Sequence, residues 1–228
     1  MRFVVPMEQN LHGDGLEPVL RRLDKLFEDG WRTRQAEIAG CLCALRRGHR
    51  ALRALVARHS MDGEEARLQG AQSFLITHND HYGIRVNLWF PQTTLAMVNP
   101  RYRKYLSIGE LHNHDFDFFT LCLSGPGYTS RFYRDRCFSP WRGAGETLDL
   151  EALGSVSLAG ETVMLVEHSQ DYHAQAWPES FTTTLNLIPN EGPEVRVQYV
   201  VDEDSLAIRD VIRGGGQTDD AAPERRRA

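Results

Sequence analysis

His112 and His114 stand one residue apart in the stretch GELHNHDFDFF, which covers residues 109–119. On a β-strand, side chains at positions i and i+2 point to the same side, so two imidazoles at this spacing face one point. Neutral imidazole is a common protein ligand for iron, zinc, copper and nickel ions. The spacing therefore predicts one half of a metal site.

A third imidazole from another strand would complete one face of a coordination sphere and leave positions open for water, dioxygen or substrate. The candidate is His173, which follows an apolar strand predicted at residues 163–166. His168 competes with it, because the two lie five residues apart and only one can face the metal from a regular strand. For all of these histidines, the alternative is a core imidazole satisfied by a backbone carbonyl.

Hydrophobic periodicity predicts the elements that must position these histidines. Apolar residues recur at helical spacing over residues 16–27 and again over residues 38–56, which predicts two or three amphipathic helices. After a charged turn at residues 62–65 the period changes from about 3.6 to about 2. Alternating segments such as residues 84–90 and 195–201 predict half-buried strands. Frequent Gly and Pro turn signals between short strands favour a β-sandwich or a jelly-roll barrel.

The histidine pattern resembles that of the cupins. Members of that family carry H-x-H, usually a glutamate a few residues later and a glycine that closes the hairpin, and a second motif ending in histidine. The corresponding residues here are His112, His114, Gly125 and His173. The resemblance covers residues 76–201 and implies an antiparallel barrel with the three histidines at its mouth. Asp117 is the acid nearest to the place of the family's glutamate, so it is the candidate for a fourth metal ligand.

We therefore predict a mainly β protein, a cupin-like jelly-roll β-barrel preceded by two or three α-helices. The predicted domain boundaries are residues 1–62 for the helical N-terminal region and 63–213 for the barrel. Residues 214–228 form a polar, glycine-rich tail that we expect to be disordered.

The predicted ligand set indicates the reaction class. A metal held by three neutral imidazoles keeps its full charge and exchangeable positions, which suits Fe(II) binding substrate and dioxygen side by side. We therefore expect a non-haem iron dioxygenase or oxygenase that acts on a small molecule, such as an amino acid or a biosynthetic intermediate. Imidazole ligands also suit nickel, zinc and manganese. The alternatives are a metal-dependent isomerase or lyase, and a non-enzymatic sensor or regulator.

Further residues are candidates for contacts with the substrate. The strand predicted at YTSRFYRDR places Arg131 and Tyr133 on one face, where they could hold a carboxylate and a reacting oxygen or proton. Aromatic side chains could form an apolar pocket wall, with barrel core as the alternative role. The aromatic candidates are Trp89, Phe116, Phe118, Phe119, Phe132 and Trp177.

Composition limits the partners. Among 228 residues, 26 are Lys or Arg and 31 are Asp or Glu, and the formal net charge of -5 argues against a broad nucleic-acid surface. Residues 33–59 resemble the opening of a helix-turn-helix only faintly, and they are the basis of the regulator alternative. No apolar run approaches the roughly 20 residues of a membrane span, and no signal peptide is evident, so we expect a cytoplasmic protein. The resemblance to cupins also implies that a homodimer can form.

Overall fold

The computed structural model describes residues 1–7, 16–48, 72–95 and 109–213. Its helices are α1 (Leu16–Glu28), a 3-10 helix (Trp31–Thr33), α2 (Gln35–Arg47) and α3 (Gln92–Leu95). Its strands are β1 (Arg2–Val4), β2 (Ser73–His78), β3 (Tyr82–Trp89), β4 (Leu111–His112), β5 (Phe118–Ser124), β6 (Tyr128–Asp135), β7 (Leu150–Leu158), β8 (Val163–Val166), β9 (Asp171–Gln175), β10 (Thr182–Pro189), β11 (Val197–Val201) and β12 (Ile208–Arg213).

The strands form two antiparallel sheets of six. Sheet A has the order β1-β8-β5-β10-β3-β2, and sheet B has the order β12-β11-β4-β9-β6-β7. Most neighbours within a sheet are distant in sequence, because the chain crosses repeatedly from one sheet to the other, as it does in a jelly roll. The predicted fold class, a cupin-like jelly-roll barrel with helices near the N-terminus, is confirmed.

Helices α1 and α2 cover the outer face of sheet A. The apolar stripe of α1 is buried there, and the ring of Trp31 meets that of Phe119 on β5 with centroids 5.8 Å apart. Ile84 and Val86 of β3 belong to the same buried cluster. The helices and the barrel therefore share one hydrophobic core on this face.

The inner face of sheet A packs against sheet B. Phe118 and Trp89 of sheet A form a second buried cluster with Tyr128 and Phe132 of sheet B. This interior is not wholly apolar: the Trp89 indole N–H donates to the Thr184 hydroxyl at 3.0 Å. Polar side chains of sheet A thus point into the barrel, where they can meet a ligand.

The N-terminal region contains a strand as well as helices. Residues 2–4 form β1, which pairs with β8 at the edge of sheet A, although the N-terminal region was expected to be helical. The boundary predicted at residue 62 and the tail at residues 214–228 lie outside the described residues. Of the segment 33–59, the part after residue 48 also lies outside them. Among the described segments, no helix is long and apolar enough to cross a membrane.

The turn between β5 and β6 requires glycine at position 127. Gly127 has a φ of 86°, and a Cβ built there would lie 1.8 Å from the carbonyl oxygen of Leu158. Both the left-handed backbone conformation and the close approach of β7 exclude a side chain.

We expect Gly127→Ala to reduce the free energy of unfolding by on the order of 3 kcal/mol, because it adds a backbone clash to the strain of a positive φ. Gly145→Ala is the matched control: Gly145 has a φ of 89°, but no atom lies within 4 Å of its built Cβ. The control should lose only about 1 kcal/mol. Urea denaturation measures both, and equal losses would contradict the close approach.

Candidate metal centre

Strand β4 ends sooner than the sequence indicated. It holds only Leu111 and His112, so His114 lies beyond the strand. At Asn113 the side chain adds to the backbone pairing: the backbone N–H donates to the Tyr199 carbonyl at 3.3 Å, the Oδ1 accepts from the Tyr199 backbone N–H at 2.6 Å, and the Nδ2 donates to the Ser169 carbonyl at 3.0 Å. The amide of Asn113 thus ties the chain between the two histidines to β11 and to the turn before β9.

The backbone of His114 is fixed by the same turn. The Ser169 N–H donates to the His114 carbonyl at 2.8 Å. Ser169 itself has a φ of 68°, a left-handed conformation that is uncommon for serine. The turn before β9 therefore positions His114 as well as the strand that carries the third histidine.

His173 lies on β9, at the centre of sheet B. It is the Cα partner of His112 on β4 and of Phe132 on β6, and its side chain points into the barrel. His173 is only 3% exposed. The third histidine predicted from the sequence is thus brought next to the first by the strand register.

The three imidazoles converge. Ring centroids lie 4.8 Å apart for His112 and His114, 4.8 Å for His112 and His173, and 5.1 Å for His114 and His173. One nitrogen from each ring lies within 4.8 Å of the others, which makes them a group that could hold a metal ion.

The separation of two ring nitrogens tests whether an ion fits between them. The Nε2 atoms of His114 and His173 are 3.0 Å apart. Two nitrogens at right angles, each about 2.1 Å from one ion, would be separated by about 3.0 Å. The donor set and this separation therefore fit a divalent ion.

The imidazoles are in the form that binds metals. Burial lowers the pKa of His112, and burial together with the neighbouring imidazoles holds the pKa values of His114 and His173 well below 6.5. The Nδ1 of His112 lies 2.9 Å from the Glu110 carbonyl. Since a carbonyl only accepts, Nδ1 carries the proton and Nε2 keeps its lone pair for a ligand bond.

Aromatic rings enclose the three histidines. Phe116 and Phe118 lie 4.9 Å from the His114 ring, centroid to centroid, and Phe132 lies 5.5 Å from that of His173. Trp89 and Trp177, also predicted to line a pocket, belong to the same inner cluster. Phe119 does not, because it faces the helices on the outer side of sheet A.

Gln175 is a neighbour of the site that the sequence did not indicate. Its Nε2 lies 3.1 Å from the Nε2 of His173, and its Oε1 is buried without a hydrogen-bond partner among the described residues. The only signal in the sequence is its spacing, since residues 173 and 175 share a face of β9.

The structure does not bring Asp117 into the histidine group. One of its oxygens accepts from both the backbone N–H and the Nδ1 of His168 at 2.8 Å, and the other lies 3.2 Å from Arg32. Burial opposes ionisation, but the bonds from His168 and the charge of Arg32 together lower the pKa of Asp117. This pairing also occupies His168, the competitor for the third ligand position.

Arg131 and Tyr133 do share a face of β6, as predicted, and both contact Glu203. The Arg131 guanidinium donates to both carboxylate oxygens, at 2.6 and 2.5 Å, and the Tyr133 hydroxyl donates at 2.9 Å. The Arg131 side chain is 50% exposed, whereas Phe132, on the opposite face, points toward His173. The structure therefore places this pair on the outside of sheet B.

Comparison with solved structures identifies similar folds. Hydroquinone 1,2-dioxygenase PnpCD, in complex with Cd2+ and 4-hydroxybenzonitrile, is 14% identical over 56% of this chain and 68% of its own, with a TM-score of 0.36. A cupin-2 domain from Rhodospirillum rubrum is 12% identical over 59% of this chain and 67% of its own, at 0.31. A structure of the DMSP lyases RdDddP and RnDddQII is 13% identical over 53% of this chain, at 0.32, and this chain spans only 47% of that one.

At such identities the likeness concerns the fold and says nothing of the reaction. No family model matches the sequence, and neither does any curated protein. The chain is thus similar to the cupins in fold, and three of its own histidines form a group that could hold a metal ion.

Proposed function

We propose that this protein is a non-haem Fe(II) oxygenase of the cupin type that acts on a small molecule with dioxygen. The observation that carries the proposal is the group formed by His112, His114 and His173: three neutral imidazoles, one buried and two partly buried, with nitrogens within 4.8 Å of one another. A bound Fe(II) ion would supply a redox-active centre with positions left for substrate and dioxygen.

The residues of the barrel have separate tasks in this proposal. His112 is oriented by the Glu110 carbonyl, and His114 is held by the turn at Ser169. The rings of Phe116 and Phe118 exclude water from the inner side of His114, which protects a reactive centre from side reactions. All three ligands are neutral, so the ion keeps its whole charge for polarising substrates.

Replacing any of the three histidines should remove the metal. We expect the wild type to hold near-stoichiometric iron and His112→Ala, His114→Ala and His173→Ala each to lose it, because two imidazoles bind the ion too weakly against solvent. The measurement is metal analysis of protein purified without chelators or an affinity tag, with circular dichroism to show that the fold is kept.

His168→Ala is the matched control, because His168 bonds to Asp117 and not to the histidine group. It should retain its metal. Unchanged metal content in all three ligand variants would show that these imidazoles are structural, and the proposed function would then fail.

The Fe(II) form should have a position that accepts a diatomic gas. Anaerobic addition of nitric oxide, a stand-in for dioxygen, should give the electron paramagnetic resonance signal of a ferrous nitrosyl complex, and His114→Ala should not give it. Zinc-loaded protein is the control without signal.

Oxygen uptake with candidate substrates should then depend on Fe(II). Turnover that is equal with zinc and without dioxygen would instead support a lyase or isomerase.

Stability without metal should fall as the pH drops below about 6.5, the ordinary pKa of histidine. The unfolded imidazoles take up protons there, while burial keeps His114 and His173 neutral in the folded protein. Each such histidine lowers the free energy of unfolding by up to about 1.4 kcal/mol per pH unit.

Urea denaturation with a chelator at pH 7.5, 6.5 and 5.5 measures this slope. His114→Gln should make it shallower, whereas His81→Gln, at an exposed position, should leave it unchanged. Asp117 does not interfere, since its pKa lies below 3.8. A slope that His114→Gln does not alter would contradict the neutral state of this imidazole in the folded protein.

A further inference from the structure

Arg85 lies on the inner face of sheet A. It is the Cα partner of Asn186 on β10, and Asn186 is in turn the partner of Thr120 on β5. The Thr120 hydroxyl donates to the Asn186 Oδ1 at 2.8 Å, so these two polar groups satisfy each other. The guanidinium of Arg85, in the same row of polar residues across the sheet, has no hydrogen bond to Asn186 or to Thr120.

Arg85 has no counter-ion among the residues that the structure describes. Its Nε is fully shielded from solvent and has no hydrogen-bond partner, although the side chain as a whole is partly accessible. Burial lowers the pKa of Arg85 to about 10, which leaves the group charged at neutral pH. A charged group whose Nε–H is shielded and unpaired is stabilised when an anion occupies the space beside it.

The guanidinium is close to the histidine group. Its central carbon lies 5.4 Å from the centre of the Phe116 ring, and that ring is 4.9 Å from the His114 ring. The charge of Arg85 also contributes to the low pKa of His114. One small molecule can therefore reach both the guanidinium and a metal held by the histidines.

Two buried acids of the barrel, Asp117 and Asp171, are already paired with other groups. Asp117 bonds to His168 and Arg32, and Asp171 accepts from Arg134 at 2.9 Å. By contrast, the exposed Arg131 already has Glu203 as its partner. Arg85 has bonding capacity left at its Nε, and it faces the barrel interior.

We propose that Arg85 anchors the carboxylate of the substrate, which makes the substrate a small carboxylic acid with an apolar body. The planar fork of a guanidinium matches a carboxylate and can donate two parallel bonds to it. The rings of Phe116, Phe118 and Phe132 contact the apolar part, between the anchor and the histidines. This assignment rests on the proposed function for the reaction, but the binding of the anion can be measured without it.

The test compares two ligands that differ in charge and little in shape. Fluorine NMR follows the titration of 4-fluorobenzoate and 4-fluorobenzamide into metal-free protein and into zinc-loaded protein, since zinc is diamagnetic. We expect the wild type to bind the benzoate at least about tenfold more tightly in both forms, as a charge-assisted pair does.

Variants test whether Arg85 causes the preference for 4-fluorobenzoate over 4-fluorobenzamide. Arg85→Gln should lose the discrimination between the two ligands, and Arg85→Lys, which keeps the charge without the fork, should retain part of it. Arg136→Gln is the matched control, because Arg136 is exposed and pairs with Glu151 at 3.4 Å. It should behave as the wild type does.

Equal affinity of the wild type for the two ligands, or no binding of the benzoate, would overturn the assignment even if Arg85→Gln does not fold. Discrimination that survives in Arg85→Gln but disappears in Arg131→Gln would move the anchor to the outside of sheet B and overturn it as well. Failure of the proposed function looks different: the histidine variants would keep their metal content, while the preference for benzoate would still depend on Arg85.

Discussion

The early end of β4 is the constraint on which the metal centre depends. Side chains at i and i+2 of a regular strand start about 6.7 Å apart, whereas two nitrogens on one ion are at most about 4.2 Å apart. Here β4 ends at His112, and Asn113 is held to β11 by its backbone N–H, which donates to the Tyr199 carbonyl, and by its side-chain amide, which also bonds to the turn before β9. With His112 at the end of the strand and His114 beyond it, the two ring centroids lie 4.8 Å apart.

The alternation of polar and apolar residues predicted the strands correctly, but it could not say which face is the interior. In β3, Ile84 and Val86 look like the side that faces a barrel core, yet they pack under the helices on the outer face. The polar side, with Arg85, is the one that lines the barrel. The reason is the helical layer: once α1 and α2 cover sheet A, its apolar face is buried on the outside.

The same limit explains the placement of Arg131 and Tyr133. Their spacing correctly predicted a shared face of β6, because side chains two apart on a strand always share one. The direction of that face depends on Glu203, seventy residues later, and no local pattern shows that contact. The choice of His173 over His168 depends likewise on a distant partner, Asp117. The residue types and spacings of the histidine group were therefore predictable, whereas the roles of its charged neighbours required the fold.

The pairing of Asp117 away from the histidines determines the charge balance of the interior. Because His168 and Arg32 occupy this carboxylate, the histidine group offers neutral donors, and the charge of a divalent ion stays uncompensated. Arg85 adds a further positive charge nearby. Two uncompensated cations in one enclosed space repel each other, and an anion placed between them lowers the free energy of both. By thermodynamic linkage, a carboxylate ligand then binds more tightly when the metal is present, and the metal binds more tightly by the same factor when the carboxylate is present.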